Sequence, residues 1–184
     1  SGLTPLILAC KNSNTTSTEN TVRILLDAKA NINFQTNNGW TALMMASRYS
    51  RTKSSENTVK MLIDAKADVN IKNNAGWTAL MFACRYSRTE STENTVRMLL
   101  DTNKSNFFGI KKLDLNLQNN AGWTSLMLAC RYSNNGSSEN TVKMLLDTNI
   151  NVNLKNNKGW TALMLASRYS NTESTENTVK MLLD

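Results

Sequence analysis

The sequence predicts an all-α solenoid, in which five helix–turn–helix units stack side by side and short β-hairpin-like fingers join them. The first observation is repetition: the 26-residue segment Gly76–Asp101 returns at Gly159–Asp184 with 22 identical positions. Related segments begin at Gly2, Gly39 and Gly122, so the starting glycines are 37 residues apart except for one interval of 46. A fixed period of this size is typical of stacked repeats. The second observation is that the apolar residues inside each unit follow helical spacing, so that neither helix buries its apolar side alone.

The first helix of each unit is predicted to begin after a threonine that follows Gly-Trp, such as Thr41 in the second unit. A threonine at this place caps a helix by accepting from its first free N–H groups. Apolar and small residues then run from Ala42 to Ser47, and the helix is expected to end near Tyr49. The methionine in the middle of this stretch is expected to fill the core. The leucine before it is expected to be buried between units, at Leu43, Leu80, Leu126 and Leu163.

The second helix follows a polar linker and runs through sequences such as ENTVKMLID, where Val59–Ile63 carries apolar residues at i, i+3 and i+4. Ser54 or Ser55 is the candidate cap, and Glu56 stands where the helix dipole favours an anion. The chain then alternates apolar and polar residues before an asparagine- and glycine-rich tip. This pattern predicts a short extended finger that leads into the next threonine cap.

The units form one domain and span approximately residues 1–36, 37–73, 74–119, 120–156 and 157–184. The long interval comes from an insertion at 104–112, which carries Phe107 and Phe108 beside lysines. Insertions in solenoids fall in loops, often on the binding side; the alternative is that both rings pack back onto the adjacent helices. The chain starts inside a unit and ends on apolar residues at 181–183. We therefore expect a fragment of a longer array, either monomeric or associating end to end through its truncated repeats.

The pattern G-x-T-x-L-x-x-A, followed by V-x-x-L-L and A-D-V-N, resembles the ankyrin repeat and covers nearly the whole chain. The family period is about 33, and the longer period here places four extra residues between the helices, in stretches such as Arg88–Thr92. Asparagine adopts a left-handed helix end readily and lysine at some cost; the family's glycine at that end is replaced by Lys29, Lys66, Asn103 and Asn149. The near-identical units and asparagine-rich loops also resemble ankyrin arrays of giant DNA viruses or of protists with AT-rich genomes. The viral resemblance implies a host protein as partner.

The composition excludes most catalytic chemistry. The 184 residues include no histidine, so there is no Ser–His or Cys–His pair and no histidine-bearing zinc site. Cys10, Cys84 and Cys130 fall one per unit and cannot converge on a metal, and no phosphate-binding glycine loop appears. We expect no enzyme activity and no cofactor. Stacked helices hold the thiols too far apart for disulfides, which favours an intracellular, cytoplasmic protein (in the host cytoplasm if viral). No apolar run reaches the roughly 18 residues of a membrane span.

Tryptophan, arginine, tyrosine and asparagine recur at fixed registers, and the resemblance implies that these registers face a concave groove. Tryptophan, tyrosine and arginine dominate interface energetics because they combine large area with polar handles. The same residues can instead serve the stack, with arginines lying over neighbouring rings, and the sequence leaves both roles open. The candidate partner-binding residues are Trp40, Trp77, Trp123, Trp160, Arg48, Tyr49, Arg85, Tyr86, Arg131, Tyr132, Arg168, Tyr169, Asn73, Asn74, Asn119 and Asn120, with Phe107 and Phe108 of the insertion.

Three functions are consistent with these residues. The first is a non-catalytic protein–protein interaction module that holds its partner in the concave groove. The second is binding of an anionic strand such as nucleic acid, since 21 Lys and Arg against 14 Asp and Glu give a net charge of +7 and arginine beside aromatics suits phosphates and bases. Nucleic acid is the less favoured partner because the lysines are scattered over second helices and loops. A purely structural spacer is the third. If a carboxylate lies beside each arginine, the arginines do not form a row of free positive charge, and the anionic-strand function is disfavoured.

Overall fold

The computed structural model describes residues 1–104 and 111–184, so Phe107 and Phe108 lie outside the described residues. The described residues form ten helices in five pairs, and the predicted all-α solenoid is confirmed. First helices pack against the first helices of neighbouring units, and second helices against second helices. The helices are α1 (Pro5–Asn12), α2 (Glu19–Asp27), α3 (Ala42–Tyr49), α4 (Glu56–Asp64), α5 (Ala79–Tyr86), α6 (Glu93–Asp101), α7 (Ser125–Arg131), α8 (Glu139–Leu146), α9 (Ala162–Tyr169) and α10 (Glu176–Met181).

Hydroxyl side chains cap the helices in both positions of the pair. Oγ1 of Thr41 accepts from the backbone N–H of Met44 at 3.2 Å and so begins α3. In the second helix of that unit, Oγ of Ser55 accepts from the N–H of Thr58 at 3.1 Å. Of the two candidate serines, Ser55 is therefore the cap, and Ser54 is buried and takes a different role. Because the caps satisfy N–H groups that the helix leaves free, they fix where each helix starts.

Leucines and methionines of the first helices fill the space between units. Three of the four predicted leucines are buried, with 1% exposure at Leu43, Leu80 and Leu126. Leu163 is only half-buried, because it lines an open face of the fifth unit. Met164 is 49% exposed on the same face, whereas the equivalent methionines of the second, third and fourth units are buried. These first-helix side chains are thus buried where a following unit packs against them.

A row of buried hydroxyls connects the linkers that join the two helices of each unit. Oγ1 of Thr58 donates to Oγ of Ser13 at 2.7 Å, and Oγ of Ser13 lies 3.3 Å from Oγ of Ser54. Equivalent trios occupy the next junctions, at Thr95–Ser50–Ser91, Thr141–Ser87–Ser137 and Thr178–Ser133–Ser174. A buried polar group is costly unless it is paired. These trios therefore specify the register in which one unit sits on the next.

The glutamates that open the second helices of the first four units also bond to the following unit. Nδ2 of Asn57 donates to Oε2 of Glu19 at 2.6 Å, and Oγ of Ser55 donates to Oε1 of the same carboxylate. An asparagine of the next unit donates in the same way to Glu56, Glu93 and Glu139. These first-turn glutamates therefore link consecutive units in addition to facing the positive end of the helix dipole.

Each finger is a hairpin-like turn, and the described residues of the fingers contain no β-strand. In the third unit, the backbone N–H of Asn73 donates to the carbonyl of Trp77 at 2.9 Å and closes the turn. Gly76 lies at the tip with φ of 79°, a left-handed conformation that favours glycine. A Cβ there would also lie 2.6 Å from the backbone N of Asn120 in the next finger. Backbone conformation and the close approach of the next finger both require glycine at this tip.

The second helices end in two ways. Lys29 and Lys66 adopt left-handed conformations, with φ of 59° and 69°. Asn103 and Asn149 are not among the described residues with positive φ, which differs from the expectation for these registers. The reason is the threonine before each asparagine, which donates through Oγ1 to a carbonyl of the last helical turn, at 2.7 Å from Thr102 and 2.6 Å from Thr148. That bond satisfies the helix end without a left-handed residue.

Asn103 instead closes the base of the insertion. Its Oδ1 accepts from the N–H of Leu113 at 2.7 Å, and its Nδ2 donates to the Leu113 carbonyl at 3.1 Å. On the far side, Nζ of Lys111 lies 2.6 Å from Oδ2 of Asp68, and Nδ2 of Asn70 donates to the carbonyl of Lys112 at 2.8 Å. The insertion is therefore anchored on both sides, so the stacking of the flanking units is preserved across the longer interval.

Candidate partner-binding groove

The four tryptophans precede the first helices of units two to five and are all half-buried. In the third unit, the backbone N–H of Trp77 donates to Oδ1 of Asn73 at 2.9 Å, which fixes the ring at the base of the finger. The fourth and fifth units use the same bond, and Thr36 provides the acceptor for Trp40 in the second. Each ring packs on the core with one side and leaves the other accessible.

Arginine and tyrosine at the end of the first helix join neighbouring units. The guanidinium of one unit lies over the tyrosine ring of the next, with Cζ-to-centroid distances of 4.6 Å for Arg48–Tyr86, 3.3 Å for Arg85–Tyr132 and 3.9 Å for Arg131–Tyr169. Arg168, in the fifth unit, lies 5.2 Å from the centroid of its own Trp160. These are cation–π geometries. We call these tryptophans, arginines and tyrosines the aromatic–arginine ladder; its members contact one another across every junction from the second unit to the fifth.

Two arginines of the ladder are neutralised by glutamates of the following unit. Nε of Arg48 donates to Oε2 of Glu90 at 2.9 Å, and Nη2 of Arg131 lies 2.7 Å from Oε2 of Glu173. The second pair is a charge contact and not an aligned hydrogen bond, since Oε2 of Glu173 is buried with no hydrogen-bond partner. Burial is the largest single influence on Arg48 and lowers its pKa, but the hydrogen bond to Glu90 and the charge interactions with Tyr86, Tyr49 and Glu90 together outweigh it and hold the pKa of Arg48 above its ordinary value.

Sequence reasoning missed these pairs, although their signal was present. In both, the glutamate follows the arginine by 42 residues, one repeat period plus five. The inter-helix linker that holds the glutamate comes back alongside the first helix of the preceding unit. The acidic residues therefore lie against the arginines.

The junction between the third and fourth units lacks such a pair. Gly136 stands at the register of Glu90 and Glu173, and the guanidinium of Arg85 lies against it, where a Cβ would overlap Nη1. Among the described residues, no carboxylate lies within 4.0 Å of the Arg85 guanidinium, and no hydrogen bond of its side chain is found. Arg85 therefore keeps its charge and its N–H donors available while it stacks on Tyr132.

Two repeat-equivalent pockets open on the ladder. The first, of about 410 Å³, lies between the third and fourth units and is lined mainly by Trp77, Arg85, Asn119, Trp123, Leu128 and Tyr132. The second, of about 220 Å³, lies between the fourth and fifth units and is lined mainly by Trp123, Arg131, Asn156, Trp160, Leu165 and Tyr169. Each combines two indole rings and a leucine with an arginine and a tyrosine. Such a surface suits an apolar side chain beside a polar or charged group.

At the corresponding position between the second and third units, a side chain of the protein itself fills the space. Phe82 occupies the register of Leu128 and Leu165, and its ring stacks between Trp40 and Trp77 at centroid distances of 4.4 and 4.9 Å. The side chain is 4% exposed, the same value as Leu128. A single larger side chain thus takes the space that lies open at the next two junctions.

The candidate asparagines are used inside the array. Asn73 and Asn119 are buried and accept hydrogen bonds within their own turns. Nδ2 of Asn74 donates to the carbonyl of Asn37 at 2.9 Å, and Nδ2 of Asn120 donates to the carbonyl of Asn74 at 2.8 Å. These bonds join fingertip to fingertip. Asn119 also reaches the first pocket, so the asparagines position the groove and contribute one polar group to its lining.

The remaining reactive groups are confined to the core. All three cysteines are free and buried, and burial raises the pKa of the Cys10 thiol to about 12 and the pKa values of Cys84 and Cys130 even further above their ordinary range. Within residues 1–104 and 111–184, no three histidine, cysteine or acidic side chains are grouped to hold a metal ion. In the same ranges, no helix has the length and apolarity to cross a membrane.

Comparison with known proteins agrees with the repeat architecture. The family model described as ankyrin repeats (3 copies) matches residues 1–73, 21–109, 50–156 and 103–184, which together span the chain. A search of curated proteins finds no match to this sequence. Ankyrin repeats are generally protein–protein interaction modules and are typically non-catalytic. The chain belongs to the ankyrin-repeat family.

Proposed function

We propose that this chain is a non-catalytic module that binds a protein segment along the aromatic–arginine ladder. The observation that carries the proposal is the pair of repeat-equivalent pockets, each formed by two tryptophans, a leucine, an arginine and a tyrosine. Tryptophan, tyrosine and arginine supply most of the energy in protein interfaces. Two such pockets in consecutive units suit an extended segment that places one side chain in each.

Two further candidates are less well supported. A phosphate-bearing strand needs a continuous row of free cations, but Glu90 and Glu173 neutralise Arg48 and Arg131 and would repel phosphates. A pure spacer has no need of accessible tryptophan rings. We also propose that the protein works in a reducing, intracellular compartment, because its three thiols are free and buried; a host protein as partner remains a proposal from resemblance.

The test fills the pockets without weakening the fold. Leu128→Phe and Leu165→Phe reproduce, at both open junctions, the phenylalanine that Phe82 already supplies between two tryptophans. We expect wild type to select binding clones from a phage-displayed library of random peptides, and the double variant to lose at least tenfold in affinity for them. Its melting temperature should equal or exceed that of the wild type.

Lys60→Ala is the matched control, because Lys60 lies on the exposed side of α4 and pairs only with Asp64 among the described residues. It should bind as the wild type does. Clones that bind the pocket-filled variant as tightly as the wild type would place the binding surface elsewhere. A wild type that selects no clones would overturn the proposal.

A further inference from the structure

We propose that Arg85 receives a carboxylate of the bound segment, and that the segment is an acidic peptide whose adjacent apolar side chain enters the pocket between Trp77 and Trp123. The inference rests on the proposed function of the groove and names the chemistry of its partner. It starts from the one junction of the ladder where Arg85 faces Gly136 instead of a glutamate.

The array itself shows what this register accepts. At the junctions before and after, the guanidinium stacks on a tyrosine of the next unit and also meets a carboxylate, at 2.9 Å in Arg48–Glu90 and 2.7 Å in Arg131–Glu173. A carboxylate therefore fits beside an arginine and a tyrosine in this geometry. At Gly136 the chain supplies no carboxylate and the guanidinium itself lies against the glycine, so a partner's carboxylate would meet Arg85 from the pocket that its side chain lines.

The donors of Arg85 are also within reach of a ligand. Nε of Arg131 is among the buried atoms with no partner, whereas no Arg85 nitrogen of the described structure is. The Arg85 side chain lines the pocket directly, together with Trp77, Trp123 and Leu128. A guanidinium with free N–H groups forms strong, paired hydrogen bonds with a carboxylate, more so beside an apolar wall that excludes water.

Charge complementarity favours an acidic segment over an anionic polymer. Of the arginines at the three junctions, only Arg85 lacks a carboxylate partner, and Glu90 and Glu173 lie at the junctions before and after it. A phosphodiester strand would bring charge to every register, including those two. A peptide carries its carboxylates singly. In the next pocket Lys158 takes the place of Ala121, which adds one further positive charge toward the fifth unit.

The experiment uses peptides selected from the random phage-displayed library, synthesised with a fluorescent label and measured by fluorescence polarisation. We expect the selected peptides to share an Asp or Glu next to an apolar residue. Replacing that acid by its amide should weaken binding roughly 10- to 100-fold, which corresponds to a hydrogen-bonded charge. Arg85→Gln should cause the same loss, and amide peptide and Arg85→Gln combined should cost little more than either change alone.

Two further variants separate this role from a structural one. Arg23→Gln changes an exposed arginine of α2, outside the ladder, and should alter affinity less than about twofold. Gly136→Glu supplies the missing internal carboxylate and should weaken acidic peptides without weakening their amide counterparts. Circular dichroism melts establish that each variant is folded, and the comparison of Arg85→Gln with Arg23→Gln tests the inference even if Gly136→Glu is unstable.

The outcomes are distinct. Selected peptides that lack acids, yet lose binding to the Leu128→Phe variant, would leave the groove function standing and overturn the carboxylate inference. No selection at all would overturn the groove function together with the inference. Equal competition by a single-stranded oligonucleotide would overturn the acidic-peptide inference in favour of an anionic strand.

Discussion

The junction between the second and third units and the junction between the third and fourth use the same registers, and two of the side chains beside the ladder set them apart. In the first, Phe82 fills the space between two tryptophans and Glu90 neutralises the arginine. In the second, Leu128 and Gly136 stand at those registers, and both the space and the charge stay open. The backbone pattern is otherwise shared. The open pocket of the second junction therefore results from the absence of a phenylalanine ring at one register and of a carboxylate at the other.

This contrast separates two roles that residue identity alone does not separate. Tryptophan, arginine and tyrosine are present at both junctions, so their presence alone does not show which junction has an open pocket. Arg48 is used internally, through its glutamate and Tyr86, whereas Arg85 is used only through Tyr132 among the described contacts between units. What distinguishes the two junctions is whether the ladder residues already have internal partners, more than which residue types are present.

The largest expected effect is a loss of stability at alkaline pH. It comes from the units that carry a cysteine at the register where the other units carry a serine. Burial raises the pKa of Cys10 to about 12, and those of Cys84 and Cys130 are raised as well. Unfolded thiols ionise near about 8.5, so the unfolded state loses its protons first. Stability should therefore fall as pH rises above about 9, by roughly 1 kcal/mol per thiol and pH unit, until the pH reaches the folded pKa of each thiol, which is about 12 for Cys10 and higher for Cys84 and Cys130.

Denaturant midpoints measured between neutral pH and alkaline pH check this decline. Cys84→Ala should show a shallower decline than the wild type, because one of the three ionising thiols is gone. Equal slopes for the two proteins would mean that other groups cause the alkaline loss.

Phe82→Leu should convert the filled junction into an open one. The lost stacking between Trp40 and Trp77 and the space left behind should cost about 2 kcal/mol. A thermal melt should show a drop of several degrees. Leu128→Phe is its converse and should not lower the melting temperature; a drop there of the same size would mean that the two junctions are not interchangeable.

Ser47→Cys should stabilise the second unit. Oγ of Ser47 is buried with no hydrogen-bond partner among the described residues, and Cys84 and Cys130 occupy the same register in the next two units. Replacing an unsatisfied hydroxyl by a thiol should raise the free energy of unfolding by about 1 kcal/mol. Ser167→Cys is the control, since Ser167 is exposed, and it should leave the denaturation midpoint unchanged. A gain in both variants would argue against the buried hydroxyl as the cause.

Glu90→Gln should have the smallest effect on stability. The Glu90 side chain is 37% exposed and that of Arg48 is 24% exposed, so solvent screens the pair and its loss should cost roughly 0.5 kcal/mol. The informative readout is binding, because the freed Arg48 should gain affinity for acidic peptides. A larger drop in the denaturation midpoint than for Phe82→Leu would mean that the Arg48–Glu90 pair mainly stabilises the fold.

The period, the caps and the apolar spacing were sufficient to predict the solenoid, since each unit repeats the same local rules. The buried leucines followed for the same reason. The site was only partly predictable: residue types at fixed registers identified the ladder, but the pairing of Arg48 with Glu90 depends on how a linker returns beside the preceding unit. The asparagines look like exposed binding residues in the sequence, yet Asn73 and Asn74 are bonded within and between fingers. Such partners become visible only once the stacking geometry is known.

The glutamates that open the second helices of the first four units all accept from the asparagine at the same register of the following unit, and those of the first, third and fourth units also accept from its serine or threonine cap. Any in-frame duplication or deletion of a whole unit in the gene would therefore recreate the same contacts at the new boundary. Array length can change by recombination without a new interface having to arise, while single substitutions at the registers of Phe82 and Glu90 revise the groove independently. The length of the array and the side chains of the candidate groove can thus change independently during evolution.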